Sequence, residues 1–423
     1  MSAPSQTIKA DKGRHGHALV KPVGAAASLR VALVDPSLTT LPYDRMLAGG
    51  LAEAGHAVTL FGRRPRPEDG SIGTLNIDPL FYRASEHRLV AAGPRLLRIS
   101  LKGIDHGFSL RRLLRRLGAM RPDIIHLQRL PLPALDRIFL QDMRRIAPIV
   151  LTLHDGDPLG GTAGGRSPGV GIVRCIALCD RIIVHTDQGR DRLRALGLAD
   201  KRVVKLPHGP LASRPAPATT GPDRMDGELR IVLFGRIKPY KGADLLIEAF
   251  ARLPRDLRAR ARIMIVGRPH MDLAPLAARA AMLGVADRVS IEPRFVPDEE
   301  LAKLYGPGAI AAFPYREAEA SGVMTLALAH GRPIIASRLG AFAETLTDGE
   351  EGILVPPGDT AALQRGLARL IGDRSFAAAA AAASRSLAAR LPGWDEIGRR
   401  TAEVYRAAHR DWASSRSEGY PGR

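Results

Sequence analysis

A chain of 423 residues is longer than one ordinary core accommodates and suits two domains of roughly 200 residues each. Hydrophobic residues make up 45% and aromatics only 4%, so the cores are aliphatic, and the two cysteines, Cys175 and Cys179, exclude a disulfide framework. The net charge of +19 calls for an anionic partner, a phosphorylated substrate or an anionic membrane surface before a nucleic acid, because no aromatic platform or nucleic-acid-binding motif accompanies it.

Residues 1–27 are polar and lack the apolar core and cleavage site of a secretory signal, so they read as a disordered tail. From residue 28 to 210, short β-branched runs alternate with helical stretches. Strands are expected at Leu29 to Asp35, His56 to Gly62, Asp123 to Leu127, Pro148 to His154, Arg181 to Thr186 and Arg202 to Gly209. Between the first two, YDRMLAGGLAEAGH forms a helix ended by Gly55, which makes a Rossmann-like opening.

Within this half, the stretch Arg83 to Arg121 interleaves Arg and Lys with Leu, Ile and Phe. Leu110, Leu113, Leu114 and Leu117 share a helical face beside Arg111, Arg112, Arg115 and Arg116. Two readings stand: a basic amphipathic helix against an anionic membrane surface, or a buried Leu face with a solvated Arg face. VRCIALCDRII reads as an apolar helix flank holding both cysteines as buried thiols, which fits a reducing cytoplasm. No apolar run reaches the roughly 18 residues that span a bilayer, so any membrane association is peripheral, on the inner face of the plasma membrane.

Residues 211–228, rich in Pro, Ala, Thr and Gly without periodicity, read as a linker. A second series follows over 229–393, with strands at Leu229 to Gly235, Arg262 to Gly267, Val289 to Pro293, Ala309 to Pro314, Pro333 to Ser337 and Gly352 to Pro357. The fold class is therefore α/β, with two Rossmann-like, doubly wound parallel-sheet domains facing across a cleft. A terminal helix over 394–412, after the Pro392-Gly393 break, is expected to return to the first domain, and 413–423 form a tail.

Four segments carry chemistry. FGRIKPYKGADLLIEAF ends a strand at Gly235 and sets Arg236 and Lys241 around a Pro-containing turn before a helix, so two cations stand at the carboxyl edge of a parallel sheet, where such sheets bind ligands. PYREAEASGVMTLALAHG places Glu317 and Glu319 on a loop, Ser321 as a helix N-cap and Gly322 where backbone approaches closely; a capped core helix explains it equally well. In LGAFAETLTDGEEGILVPPGD, Glu344 enters a short helix, as a first-turn capping Glu also does. In RFVPDEELAKLY, the backbone of Arg294, Phe295 and Val296 lies at the same sheet edge and can recognise a flat base.

The order and spacing of these segments, from Leu229 to Leu363, closely resemble the donor-binding half of glycosyltransferase family four, the retaining group with the GT-B fold. In the first half, LHDGDP and KLPHGP resemble the cleft-lining histidine segment and the segment entering the linker. The resemblance implies a hexosyltransferase that takes a nucleotide-diphosphate sugar as substrate and a saccharide or lipid-linked acceptor, in cell-surface polysaccharide biosynthesis. It gives Arg236 and Lys241 the donor diphosphate, Glu319, Ser321 and Gly322 the sugar and phosphate, and Arg294 to Val296 the base. Glu344 would meet the ribose or phosphate region and His154 the sugar from the opposite domain.

Two departures stand out. The second Glu that the family carries eight residues after the first falls on Ala327 or Leu326, according to the end counted from, and the Gly-rich turn after the first strand is replaced by DPSLTTLPYD. The missing carboxylate keeps open a non-catalytic scaffold, and another GT-B enzyme such as a nucleotide-sugar epimerase is the enzymatic rival. The twelve histidines show no metal-binding spacing, so neither a metal nor another cofactor is expected, and His126, His185 and His208 read as satisfying strand ends.

Overall fold

A computed structural model describes residues 27–69, 72–86, 95–154, 169–198, 202–211, 227–317 and 321–417. The first sheet contains β1 (Arg30–Asp35), β2 (Ala57–Arg63), β3 (Ile77–Phe81), β4 (Ile124–Leu127), β5 (Ile149–Leu153), β6 (Arg181–Val184) and β7 (Val203–Lys205). Its strands are parallel in the order β3-β2-β1-β4-β5-β6-β7. Around it lie α1 (Leu41–Glu53), α2 (Arg95–Met120), α3 (Pro133–Ile146), α4 (Gly169–Ile176) and α5 (Asp187–Ala195).

The second sheet contains β8 (Leu229–Phe234), β9 (Ala261–Val266), β10 (Val289–Glu292), β11 (Ala309–Phe313), β12 (Ile334–Ser337) and β13 (Gly352–Val355), parallel in the order β10-β9-β8-β11-β12-β13. Its helices are α6 (Ala243–Ala251), α7 (Arg255–Ala259), α8 (Ala274–Met282), α9 (Asp298–Leu304), α10 (Gly322–Ala329), α11 (Gly340–Thr345), α12 (Thr360–Gly372) and α13 (Arg374–Arg390). In α/β domains both faces of such sheets are covered, which is why central strands such as AIAAF of β11 are apolar at every position and wholly buried.

Each chain half winds outward on one side of its first strand and then returns to the other. The switch points lie between β1 and β4 and between β8 and β11, where a crevice opens at the carboxyl ends of the strands. β8 and β11 pair through Ile231 and Ile310, so the loops that leave them emerge side by side.

Two features differ from sequence expectation, and at a third the structure decides between the two readings left open. The edge strand β3 was not anticipated, because Asp78 and Pro79 interrupt its apolar pattern; an edge position tolerates the proline. The last strand of the first domain stops at Lys205 rather than running to Gly209. On α2, Leu110, Leu113 and Leu117 are buried while Arg111, Arg115 and Arg116 are exposed, so this face is the core-packed one. Exposed apolar surface lies instead at Ile104, Phe108 and Ile138. Among the described residues no helix is long and apolar enough to cross a membrane.

The final helix, α14 (Trp394–Ser417), packs on α1 and β5 of the first domain. The contact is backbone to backbone: a Cβ on Gly50 would stand 1.9 Å from the Trp394 carbonyl oxygen, and one on Gly398 2.4 Å from that of Gly50. Ile397, Val404, Tyr405 and Ala408 complete a core with Leu33, Leu47 and Leu60. Trp394 Nε1 donates to the Pro210 carbonyl at 2.6 Å, which staples together the two chain crossings between the domains.

Candidate active site

The loop that leaves β8 turns sharply. Gly235 has φ +102°, and a Cβ there would lie 2.9 Å from Lys241 Nζ. Gly242, which caps α6, has φ +68°, and its Cβ would stand 2.0 Å from the Pro314 carbonyl oxygen. Only glycine fits where a left-handed backbone also presses on the neighbouring loop. These turns bring Lys241 inward to 6% exposure, where its ammonium donates to the Phe234 carbonyl at 3.2 Å and lies 5.2 Å from the centre of the Tyr315 ring.

Burial, with the positive charges of Arg236 and Lys238, lowers the Lys241 pKa to about 7. Among the described residues neither Lys241 nor the exposed Arg236 forms an ion pair. Among the described residues the crevice is thus a cationic site whose two cations pair with no carboxylate.

The loop after β11 is tied onto the same turn. Arg316 donates its backbone N–H to the Tyr240 carbonyl at 2.7 Å, and its guanidinium grips Asp244 with two bonds of 2.9 and 2.7 Å. GRIKPYKG and PYREAEASG therefore form one unit. Beyond the loop, Ser321 Oγ accepts from Met324 N at 3.3 Å and caps α10, whose first turn faces the crevice. A Cβ on Gly322 would lie 2.4 Å from Leu211 and 2.9 Å from His208, so the close approach here is by the first domain. Glu319 lies outside the described residues, and Glu317 is exposed. Leu326 and Ala327, where the family places its second Glu, are both buried in the core of the second domain.

At the edge of the second sheet Phe295 is 45% exposed, with the Arg268 guanidinium 5.1 Å from its ring centre, while Val296 is buried. Arg294 turns away to pair with Glu292 at 3.0 Å and Glu300 at 2.8 Å.

Across the crevice stand His154, after β5, and Gln128, after β4. His154 Nε2 donates to Gln128 Oε1 at 2.6 Å, and its Nδ1 lies 3.4 Å from His185 Nε2. Tyr43 of α1 packs its ring edge-on against His154 with centroids 4.6 Å apart, and the row of imidazoles continues through His185 to His208. Burial, then the neighbouring imidazoles, holds His154 well below its ordinary pKa, so it stands neutral and donates through one ring nitrogen. Gln128, Tyr43 and His208 were not anticipated as site residues. The signal for Gln128 was a lone amide directly after the apolar strand DIIHL at a sheet switch point.

Glu344 does not face the crevice alone: its carboxylate accepts from Asp187 N at 2.8 Å and Gln188 N at 3.3 Å and from Lys205 Nζ at 2.7 Å, all in the opposite domain.

Residues 45–210 match the model of Glycosyltransferase Family 4, and residues 228–373 that of Glycosyl transferases group 1. The chain belongs to glycosyltransferase family 4, group 1. This family 4 chain is 33% identical over 262 residues to the D-inositol 3-phosphate glycosyltransferase of Streptomyces bingchenggensis, with 59% of this chain and 57% of that protein covered. It is 31% identical to the corresponding protein of Nocardia farcinica, with 48% of each covered. The chain thus spans about half the length of the curated relatives it matches. Its fold is that of Anabaena HepE, solved with UDP and glucose (TM-score 0.69, 16% identity, 90% of this chain and all of that one), and of the sucrose-phosphate synthase of Thermosynechococcus elongatus (TM-score 0.67, 19% identity, 90% and 100%). Two parallel-sheet domains facing across a cleft are the GT-B architecture.

Proposed function

We propose that this chain is a retaining glycosyltransferase that moves a hexose from a nucleotide-diphosphate sugar to a saccharide or lipid-linked acceptor. One observation carries the proposal: Lys241, buried and among the described residues in no ion pair, stands beside Arg236 at the switch point of the second sheet, on the turn tied to the N-terminal side of α10. A diphosphate complements these two cations.

In that role Gly235, Arg236 and Lys241 hold the diphosphate and stabilise it as it leaves, and Ser321 and Gly322 offer the N-terminus of α10 to phosphate and sugar. Phe295 and the backbone from Arg294 to Val296 receive the base, and Glu319 the sugar. From the other side His154, its one ring N–H held by Gln128 Oε1, meets the sugar. The bond from the anomeric carbon to the diphosphate oxygen breaks, a bond from the same face to the acceptor oxygen forms, and the departing diphosphate takes the acceptor's proton. No step calls on a metal. The family relatives named for D-inositol 3-phosphate support glycosyl transfer, and the UDP and glucose in the HepE structure support the donor class.

The acceptor is met on the first domain. There the exposed Ile104 and Phe108 line, with Arg111, Gly103, Gly107, Leu135 and Phe139, a hollow of about 350 Å³. Exposed apolar side chains beside arginine support the reading of a cytoplasmic enzyme that meets the anionic inner face of the plasma membrane, with its acceptor in cell-surface polysaccharide assembly.

The test is a thermal-shift screen of nucleotide sugars, UDP and GDP, followed by transfer assays with lipid-linked saccharides and D-inositol 3-phosphate as acceptors. At least one nucleotide raises Tm in the wild type and fails to do so in Arg236→Ala. No shift with any of them would overturn the proposal.

A further inference from the structure

Glu344 sits on α11 of the second domain, yet every hydrogen bond described for its carboxylate comes from the first. Both oxygens face Asp187 N, at 2.8 and 3.0 Å, at the first turn of α5, where unpaired N–H groups and the helix dipole favour an anion. Lys205, the last residue of β7, reaches Glu344 Oε2 at 2.7 Å and Asp187 Oδ2 at 2.6 Å, and Arg190 meets Asp187 Oδ1 at 2.7 Å, which makes a four-membered ionic cluster. The groups are 23, 31 and 45% exposed for Glu344, Lys205 and Asp187, so water screens them only in part.

The position matters as much as the contact. Lys205 stands directly before the crossing at residues 206–211, and Glu344 on the helix after β12, four strands from the opposite edge at β10. On the other flank of the crevice Arg45 of α1 meets Asp298 of α9 at 3.6 Å, a longer and more solvated pair. Between these contacts His208 and Leu211 rest on Gly322.

We propose that Glu344 and Lys205 are positioning residues: their pairing at the N-terminus of α5 latches the two domains together, holding His154 opposite Lys241 and α10. The inference rests on the transferase function proposed above and adds a part for Glu344 that the family resemblance does not assign. Because the diphosphate and base contacts all belong to the second domain, losing the latch leaves nucleotide binding intact and lowers turnover.

Small-angle X-ray scattering on the full chain, with nucleotide binding and transfer kinetics, tests it. Glu344→Ala enlarges the radius of gyration, lowers kcat by about tenfold and leaves the UDP or GDP Kd within about twofold. Lys205→Arg, which keeps the charge and the reach, retains near wild-type kcat, whereas Lys205→Ala follows Glu344→Ala. Unchanged scattering in Glu344→Ala, or a loss confined to nucleotide affinity, would overturn the latch. If the wild type transfers no sugar at all, the proposed function falls, while the scattering comparison still decides whether the domains are held by this contact.

Discussion

The Lys241 ammonium is directed at the Phe234 carbonyl oxygen, 3.2 Å away, and that is its one hydrogen bond among the described residues. The pair places a cation inside the crevice with no ion pair among the described residues, and the consequence is a measurable pH dependence. Burial and the cations Arg236 and Lys238 lower its pKa from 10.5 to about 7. Since the unfolded chain binds this proton more tightly, Lys241 costs no stability above about pH 10.5, costs more as pH falls, and reaches its full cost below about 7. A bound diphosphate reverses the preference. Nucleotide binding above pH 7 therefore takes up a proton, and affinity weakens by nearly tenfold per pH unit, at the steepest, as pH rises. Calorimetry in buffers of different ionisation enthalpy reads the uptake, and Lys241→Met abolishes it.

Gly242 is the joint between the cationic turn and the loop after β11. Gly242→Ala meets both a φ of +68° and a Pro314 carbonyl oxygen 2.0 Å from the new carbon. The variant is expected to lose about 2 kcal/mol or more of stability in urea titration and to bind nucleotide weakly even where it remains folded.

Phe295 and Arg236 separate base from phosphate. Phe295→Ala should weaken UDP or GDP by about tenfold, the value of one lost aromatic stack, and leave pyrophosphate binding unchanged. Arg236→Ala should weaken both. Competition binding with the nucleotide and with pyrophosphate distinguishes them.

The place of the second family Glu is closed to a carboxylate. Ala327 is fully buried among Phe313, Met324 and Ile334 of the second core. Ala327→Glu is expected to lower stability by about 3 kcal/mol or more, through an unpaired charge, without improving donor affinity. A gain in nucleotide-sugar affinity at unchanged Tm would contradict this.

The parts of the molecule that could be read from residue order are those whose signal is local. β11 announces itself because a strand covered on both faces must be apolar throughout, β8 because only Arg230 interrupts its apolar run, and the turn around Arg236 and Lys241 because glycine, proline and lysine sit at fixed offsets between strand and helix. β3 escaped because Pro79 is tolerable only once its edge position is known. The arginine-rich face of α2 could not be resolved from sequence, since a buried leucine stripe and a membrane-facing one have the same period; the structure buries Leu113 and exposes Phe108 instead. Glu344 meets Lys205 across 139 residues and Asp187 across 157, and no pattern of spacing encodes such a meeting. Likewise, Gln128 gains its part only when β4 and β5 set it beside His154.

The core that α14 completes has a consequence for biogenesis. Ile397, Tyr405 and Ala408 fill the first domain together with Leu33 and Leu47, although more than 300 residues separate these groups along the chain. During synthesis the second domain, whose strands and helices are contiguous, has all its pieces while the first still exposes the apolar face of α1. The usual vectorial order, in which the leading domain folds first, is therefore inverted for this protein: its leading domain is the last to close.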